Sequence, residues 1–222
     1  MIFMYLQKKI TRLFLLCCIS IAFLFSCKYN IKQDNKAETL TKDSLPAKEK
    51  INPYITNDKS PLDISYYPQE YPVLRMNGTD SGKLVCRVIY SRPQKNGRII
   101  FGNADKSLCI YGKEWRLGAN EATEIEFFKQ VNINGNNINK GRYVIYCIPY
   151  PDKWTIVINS NLYTWGLHMD PAKDIFKTDV PVTQQFPALE DFTMVFKPAS
   201  YGADLLMAWD NVKTVLPISF SK

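Results

Sequence analysis

Histidine is scarce in this chain, which has 222 residues and a single one, His168. A catalytic triad or a metal centre built from several imidazoles is therefore excluded. The sequence also lacks a Gly-rich phosphate loop, a Gly-x-Ser-x-Gly elbow and a Cys-x-x-Cys pair, which are signatures of nucleotide, ester and thiol or zinc chemistry. His168 with Asp170 would make a poor two-ligand metal site, and a solvated loop histidine is the simpler interpretation. We predict neither a metal site nor a cofactor.

Positive charge is scarcer than the formal net charge of +7 implies. Lys8, Lys9 and Arg12 belong to an N-terminal segment that we predict to be removed, and no acidic residue leaves with them. The lysines and arginines that stay are scattered along the chain. This pattern does not indicate nucleic-acid binding, which needs a concentrated basic surface.

The expected mature domain contains few cysteines. Of the six in the chain, two fall in an N-terminal apolar run, and Cys27 takes a separate role described below. Cys86, Cys109 and Cys147 remain, an odd number that allows at most one internal bridge. Because Cys86 and Cys147 lie in apolar, strand-like runs, we predict buried thiols without a disulfide.

The N terminus has no apolar run as long as the roughly 20 residues that a membrane-spanning helix needs. The run from Leu13 to Leu24 is shorter, follows a basic cluster and ends in Leu24-Phe25-Ser26-Cys27. This order predicts a bacterial lipoprotein signal peptide over residues 1–26, with lipidation at Cys27. The alternatives are an ordinary signal peptide in which Cys27 is incidental, and an uncleaved anchor.

The residues after Cys27 predict where the mature protein resides. Lys28 stands where an Asp would resemble the inner-membrane retention signal of some bacteria. We therefore expect an outer-membrane lipoprotein, bound to the membrane through its acyl chains and facing the periplasm or the cell surface. Residues 27–56 are rich in Lys, Asn, Glu, Asp and Thr and have almost no aromatic residues, so we predict a flexible tether there.

Short β-branched and aromatic runs recur from residue 57 to the C terminus, separated by Gly, Pro, Asn and Asp. Examples are residues 84–90, 142–148 and 153–158. Asn134-Gly135 is a strong hairpin signal, because both residues tolerate positive φ. We predict a single all-β domain over residues 57–222, an antiparallel β-sandwich of jelly-roll type.

The densest polar segment, Tyr111 to Thr123, lies between two strand-like runs and combines two glycines with a Trp, an Arg, an Asn and a Glu. Arginine offers a planar fork for carboxylates or vicinal hydroxyls, and an exposed tryptophan face suits a sugar ring or a cation. Two upstream arginines could converge on this segment at one end of the sandwich. The predicted ligand-binding residues are Arg92, Arg98, Trp115, Arg116, Asn120 and Glu121.

Three interpretations of this segment stay open. In the first, it binds a ligand. In the second, an Arg–Glu pair pins a long connection onto the sheet and Trp115 is its hydrophobic plug, and a buried Arg116–Glu121 pair would be costly to break. In the third, Glu121 is a weak candidate for a general base, with Arg116 or Arg92 stabilising negative charge.

Further motifs accompany this polar segment. They are Tyr-Ser-Arg-Pro (90–93), Gly-Arg-x-Ile-Phe-Gly (97–102), residues 133–135, 141–143 and 154–156, and Trp165-Gly166. Together with residues 111–123 they resemble the bacterial domain-of-unknown-function 2911 family. The resemblance covers most of residues 60–218 and implies a β-rich envelope protein, but it brings no activity, because the family has none assigned. The chain departs from the usual pattern at Leu117 and over residues 103–109.

These observations favour a lipid-anchored β-sandwich that binds a glycan, a peptide or another envelope partner without catalysis. The alternatives are a hydrolase that uses Glu121 with Arg116 or Arg92, and a structural or assembly protein of the envelope without a small ligand.

Overall fold

The computed structural model describes residues 60–79 and 82–220. These residues belong to the compact unit that spans Tyr54–Lys222. The predicted signal peptide, Cys27 and the predicted tether lie outside the described residues. Within the described residues, no helix combines the length and the apolar character that crossing a bilayer requires.

Strands dominate the described part of the chain, and the prediction of an all-β, antiparallel single domain is confirmed. A short α-helix follows the first strand, and a 3-10 turn at Pro171–Lys173 precedes the tenth. The elements are β1 (Leu62–Tyr67), α1 (Tyr71–Met76), β2 (Cys86–Ser91), β3 (Phe101–Gly102), β4 (Cys109–Ile110), β5 (Ala119–Phe127), β6 (Val131–Ile133), β7 (Asn136–Ile138), β8 (Gly141–Pro149), β9 (Lys153–Asn159), β10 (Asp174–Ala199) and β11 (Gly202–Phe220).

The strands form a sandwich because β10 passes from one layer to the other. Hydrogen-bonded neighbours follow the order β1-β2-β5-β8-β9-β10-β11-β6-β7. The first part of β10 pairs with β9 up to Pro181, and its second part pairs with β11 from Val182 onward. The ladders of this sheet are antiparallel, whereas the short strands β3 and β4 form a separate parallel pair. The predicted Asn-Gly turn joins β6 to β7, with φ of 48° at Asn134 and 80° at Gly135.

The core lies between the two layers and is rich in large side chains. Alternation along the second part of β10 turns Phe192, Met194 and Phe196 inward, as the two-residue period of a strand requires. Strand β8 is buried on both faces, because Val144 and Tyr146 belong to a second, smaller cluster on the outer face of the sheet. Some other part of the chain must therefore cover that outer face.

One corner of the sandwich is closed by side-chain and loop acceptors instead of a strand ladder. The amide of Met194 donates to the Tyr90 hydroxyl at 3.0 Å, and the amide of Phe196 donates to Ser65 Oγ at 3.1 Å. The Tyr90 hydroxyl in turn donates to Asp63 Oδ2 at 3.1 Å. Burial is the main reason why the pKa of Tyr90 is raised to about 12. We call this arrangement of Asp63, Ser65 and Tyr90 against β10 the Tyr90 corner.

Candidate functional site

Trp115, predicted as a ligand-stacking residue, is part of the core. Its side chain is 8% exposed, and its Nε1 donates to the Gly118 carbonyl at 3.3 Å. The indole therefore offers no open face to a ligand, and it plugs the connection between β4 and β5. It packs against the rings of Phe101, Trp154, Phe192 and Trp209, with centroids 5.8, 5.6, 4.8 and 5.8 Å away.

The three arginines that were expected to converge on one site instead make contacts in three different places. Arg92 extends the Tyr90 corner, where its Nη1 lies 3.7 Å from Asp63 Oδ2. Arg98 donates from Nε to the Lys95 carbonyl at 3.1 Å and so closes its own turn. Arg116 donates from Nη1 to the Trp165 carbonyl at 3.0 Å. Arg116 is thus the arginine that the structure brings to an exposed aromatic residue.

The outer face of β8 and β9 is covered by residues 160–173, which we call the Trp165 loop. Its ends meet where the Ser160 amide donates to the Lys173 carbonyl at 3.0 Å. Leu162 and Met169 pack onto the outer cluster that contains Val144 and Tyr146. A loop whose ends close and whose own side chains pack beneath it is an Ω-loop, a type that is frequently functional.

The middle of the Trp165 loop is fixed to the predicted polar segment. The Ala122 amide donates to the Thr164 carbonyl at 3.2 Å, next to the bond from Arg116 to the Trp165 carbonyl. Gly166 has φ of 77°, and a Cβ there would lie 2.9 Å from Ala122 Cβ and 3.1 Å from Arg116 Cβ. Only glycine fits this position, so the Trp165-Gly166 pair sets the loop tightly against β5.

A buried carboxylate holds the base of the Trp165 loop. The Asp174 side chain is 5% exposed and pairs with Lys177 Nζ at 2.8 Å. Asn159 Nδ2 donates to Asp174 Oδ1 at 2.7 Å and to the Asp170 carbonyl at 2.9 Å, and the Tyr146 hydroxyl donates to Asp174 Oδ1 at 2.9 Å. Burial would raise the pKa of Asp174, but the hydrogen bonds outweigh it, and this pKa lies below its ordinary value.

Two other titratable groups near the Trp165 loop have shifted pKa values, each for its own reason. Burial and the hydrogen bond to Asp174 raise the pKa of the Tyr146 hydroxyl. Burial lowers the pKa of the Arg116 guanidinium, while the charge of Glu121 opposes that shift. Arg116 therefore lies within the electrostatic influence of Glu121 while it supports the backbone of Trp165.

The Trp165 loop presents large side chains to solvent although its backbone is fixed. Tyr163 is 85% exposed, Trp165 is 53% exposed and Leu167 is 65% exposed. His168 follows them and is exposed as well. No binding role was predicted for Tyr163, Trp165 or Leu167. The sequence does contain a signal for them, because these three large apolar residues alternate in a segment that does not have the pattern of a strand.

Glu121 and Asn120 lie beside this loop, at the start of β5. Asn120 is half-buried with φ of 56°, a conformation that asparagine tolerates well. Glu121 is exposed and borders a shallow, open depression of about 370 Å³, together with Leu62, Ile89 and Glu124 among others. Glu124 is paired with Arg142 at 3.5 Å. Neither Arg92 nor Arg116 lines that depression among the described residues.

Within residues 60–79 and 82–220, the side chains are not arranged for metal binding or for thiol chemistry. His, Cys, Asp and Glu side chains form no group of three or more there that could hold a metal ion. Cys86, Cys109 and Cys147 are buried free thiols, and burial raises the pKa of each of them.

The fold and the site define a class of protein: an all-β sandwich whose outer face carries a fixed, aromatic-bearing loop. The profile of a protein family described as "Protein of unknown function (DUF2911)" matches residues 74–218. The chain belongs to this family, as its motifs predicted. A comparison with curated proteins found no match, and neither did a comparison with solved structures.

Proposed function

We propose that this protein is a carbohydrate-binding module of the bacterial envelope, and that the Trp165 loop is its binding surface. One observation carries the proposal: Tyr163 and Trp165 are exposed on a backbone that hydrogen bonds and packing hold in place. Leaving a large apolar side chain in water forgoes about 1.5–3 kcal/mol of burial. A fixed loop that keeps two aromatic rings in water is arranged for a partner.

The rigidity of the loop favours binding because little order is gained when a ligand arrives. Tyrosine and tryptophan supply a large contact area at low conformational cost, and ordering of side chains and loops is a main cost of association. Arg116, Gly166 and the Asp174 network already hold the loop in one conformation, so little further ordering is needed when a ligand binds. Arg116 is in this view a positioning residue, since it acts on Trp165 through the backbone carbonyl.

Sugars fit this surface better than ionic ligands do. The C–H face of a pyranose ring packs on an aromatic ring, and neighbouring carboxylates accept hydrogen bonds from vicinal hydroxyls. Exposed Glu121 lies beside the loop, and Glu114 Oε2 accepts the Met169 amide at 3.4 Å within it. The surface is open instead of enclosed, which suits a polymer chain more than a free monosaccharide.

The proposal includes a cellular location, the outer membrane, which is inferred from the N-terminal sequence. The order of basic cluster, apolar run and Leu24-Phe25-Ser26-Cys27 supports a lipid anchor at Cys27. Several acyl chains would attach the protein stably to the outer membrane, and residues 27–56 would let the domain reach glycans near that membrane.

The hydrolase alternative has weaker support. A general base needs a charge-stabilising group within reach of the same substrate. Arg92 is committed to Asp63 at 3.7 Å, and Arg116 donates to the Trp165 carbonyl.

Binding of oligosaccharides tests the proposed function. Titration of the protein with chitotetraose and cellotetraose, and co-sedimentation with purified peptidoglycan sacculi, should reveal saturable binding. Trp165→Ala should weaken that binding at least about tenfold, which corresponds to about 1.4 kcal/mol. Phe186→Ala is the matched control, since Phe186 is 77% exposed on β10 outside the loop, and it should bind as the wild type does.

Two outcomes would reject the glycan proposal. One is no saturable binding to any of the three probes, and the other is equal loss of binding in the Trp165 and Phe186 variants. Binding to sacculi stripped of glycan but not of peptide would assign the loop to a peptide partner instead.

The anchor has its own test. Full-length protein should incorporate a clickable palmitate analogue in the cell and partition into the detergent phase, and Cys27→Ser should abolish both. Ser26→Ala, which keeps a small residue before the cysteine, is the control. Labelling that persists in the Cys27 variant would refute the lipoprotein assignment.

A further inference from the structure

A second groove opens where the two layers of the sandwich part. Strand β10 stays with β9 up to Pro181, and β11 stays with β10 only as far as Thr214, opposite Val182. Strand β11 then reaches β6, where Ser219 lies opposite Asn132. Between these pairings lies a groove of about 530 Å³. It has a size typical of small-molecule sites, and no residue of the Trp165 loop lines it.

The floor of this groove is aliphatic. Ile133 and Leu216 are 0% exposed and Val180 is 4% exposed, so the groove ends on the hydrophobic core. Its walls contain two prolines, Pro181 and Pro217. A bound group in this place would contact mainly CH, CH₂ and CH₃ groups.

The groove is poorly suited to an added β-strand. Pro181 and Pro217 have no amide N–H, and proline at a strand edge prevents ladder formation. The Pro181 carbonyl already accepts the Thr214 hydroxyl at 3.0 Å. An extended peptide would therefore find few backbone partners along either wall.

The two asparagine side chains at the rim have hydrogen-bond partners within the protein. Asn134 Nδ2 donates to Thr178 Oγ1 at 3.1 Å, and Asn132 Oδ1 accepts the Gly135 amide at 3.0 Å. Asn132 Nδ2 donates to Asn137 Oδ1 at 2.9 Å. Both asparagine Nδ2 groups are therefore already engaged and would have to leave a partner to bind a sugar hydroxyl.

The charge at the rim is satisfied as well. Asp179 pairs with Lys153 Nζ at 2.6 Å and accepts the Thr155 hydroxyl at 2.6 Å. The hydrogen bond from Lys153 lowers the pKa of Asp179 below its ordinary value. Asp179 is the carboxylate among the described lining residues, and its charge is compensated, so an ionic ligand would gain no partner.

We propose that this groove binds one neutral aliphatic chain, such as the acyl or alkyl part of a small amphiphile. The aliphatic floor, the proline-bearing walls and the partnered asparagine and aspartate side chains of the rim together favour this class over peptides, sugars and ions. The inference is independent of the glycan proposal, because the two surfaces share no residue.

The neutral fluorophore N-phenyl-1-naphthylamine tests this site on the intact protein. Its fluorescence should rise to saturation with one probe per chain, and 1-decanol should displace it at least about tenfold better than decanoate does, about 1.4 kcal/mol in affinity. Val215→Arg, which puts a guanidinium into the lining, should abolish the saturable signal. Ile175→Arg is the matched control, since Ile175 is a 48% exposed β-branched residue on the neighbouring strand β10 and does not line the groove.

Each outcome decides the matter. Saturable binding that survives in Val215→Arg, or no saturable binding in the wild type, would overturn the proposal. Equal displacement by decanoate would refute the neutral class, and displacement by chitotetraose would assign the groove to sugars. If Val215→Arg fails to fold by circular dichroism, Pro217→Arg at an exposed lining position takes its place. Trp165→Ala should bind the probe normally.

Discussion

Two tryptophans of this chain have opposite environments. Trp115 is 8% exposed and Trp165 is 53% exposed. Trp115 lies among four other aromatic rings and completes the core, whereas Trp165 stands in water on a loop whose backbone is fixed. The first contributes to stability through burial, and the second gives up that contribution. The difference separates the part of the molecule that makes the fold from the part that is available to a partner.

The comparison also explains the family motifs. Tyr90 and Arg92 of the Tyr-Ser-Arg-Pro motif both contact Asp63 and close a corner of the sandwich. Gly166 lets the Trp165 loop lie against β5. The motif residues around Trp115 and the Tyr90 corner therefore act on the fold, and those around Gly166 act on the exposed surface.

The largest expected effect is on stability at Trp115. Trp115→Ala should lower the free energy of unfolding by about 3–5 kcal/mol, because it removes a large buried ring. Trp165→Ala should change it by less than about 0.5 kcal/mol, as surface substitutions do. Urea unfolding of both variants measures the difference. Equal losses would show that the two tryptophans are not distinct in role.

The next largest effect concerns the base of the Trp165 loop. Asp174→Ala leaves the buried Tyr146 hydroxyl without its acceptor and removes one of the two acceptors of Asn159 Nδ2, which should cost about 2–3 kcal/mol. Asp179→Ala is the matched control on the same strand, because its pair with Lys153 is exposed and should contribute at most about 1 kcal/mol. Thermal or urea unfolding at neutral pH compares them, and a loss as large in the Asp179 variant would contradict the anchoring role.

The pH dependence sharpens this prediction. The folded-state pKa of Asp174 is lower than its ordinary value, so its ionised form stabilises the fold. This contribution is complete above the unfolded-state pKa of about 4 and is lost as the pH falls through the lower folded-state pKa. The deficit of Asp174→Ala should therefore be constant near neutral pH and shrink below about pH 4. Unfolding curves between neutral and acidic pH measure it, and a constant deficit would be the contrary result.

A smaller effect is expected at the Tyr90 corner. Tyr90→Phe keeps the ring but removes the hydroxyl that accepts from the Met194 amide and donates to Asp63. We expect a loss of about 1–2 kcal/mol, since a buried donor is left unsatisfied. Tyr163→Phe, at an exposed position of the loop, should be neutral for stability. Unfolding measurements on both variants compare core and surface tyrosines directly.

Much of the fold could be predicted because its signals are local. Alternating runs indicated the strands, and Asn134-Gly135 indicated the β6–β7 turn, since turn chemistry depends on neighbouring residues. The passage of β10 from one layer to the other could not be predicted from the sequence. It depends on which strands pair with Asp174 to Pro181 and with the residues that follow.

The surroundings of the candidate site residues were harder to predict, for a physical reason. Trp115 and Trp165 are the same residue type, and burial depends on contacts with residues distant in sequence, such as Phe192 and Trp209. Arg92 and Arg98 are of a residue type that often binds ligands, but here Arg92 pairs with Asp63 and Arg98 donates to the Lys95 carbonyl. Arg116 and Glu121 do lie beside the exposed loop.

The most direct test uses the intrinsic fluorescence of the four tryptophans, of which Trp165 is the exposed one. Acrylamide quenching should detect a single accessible tryptophan, absent in Trp165→Phe, and saturating chitotetraose should protect it from the quencher. Glycan that binds without protecting Trp165, or quenching that persists in Trp165→Phe, would contradict the assignment of this loop as the binding surface.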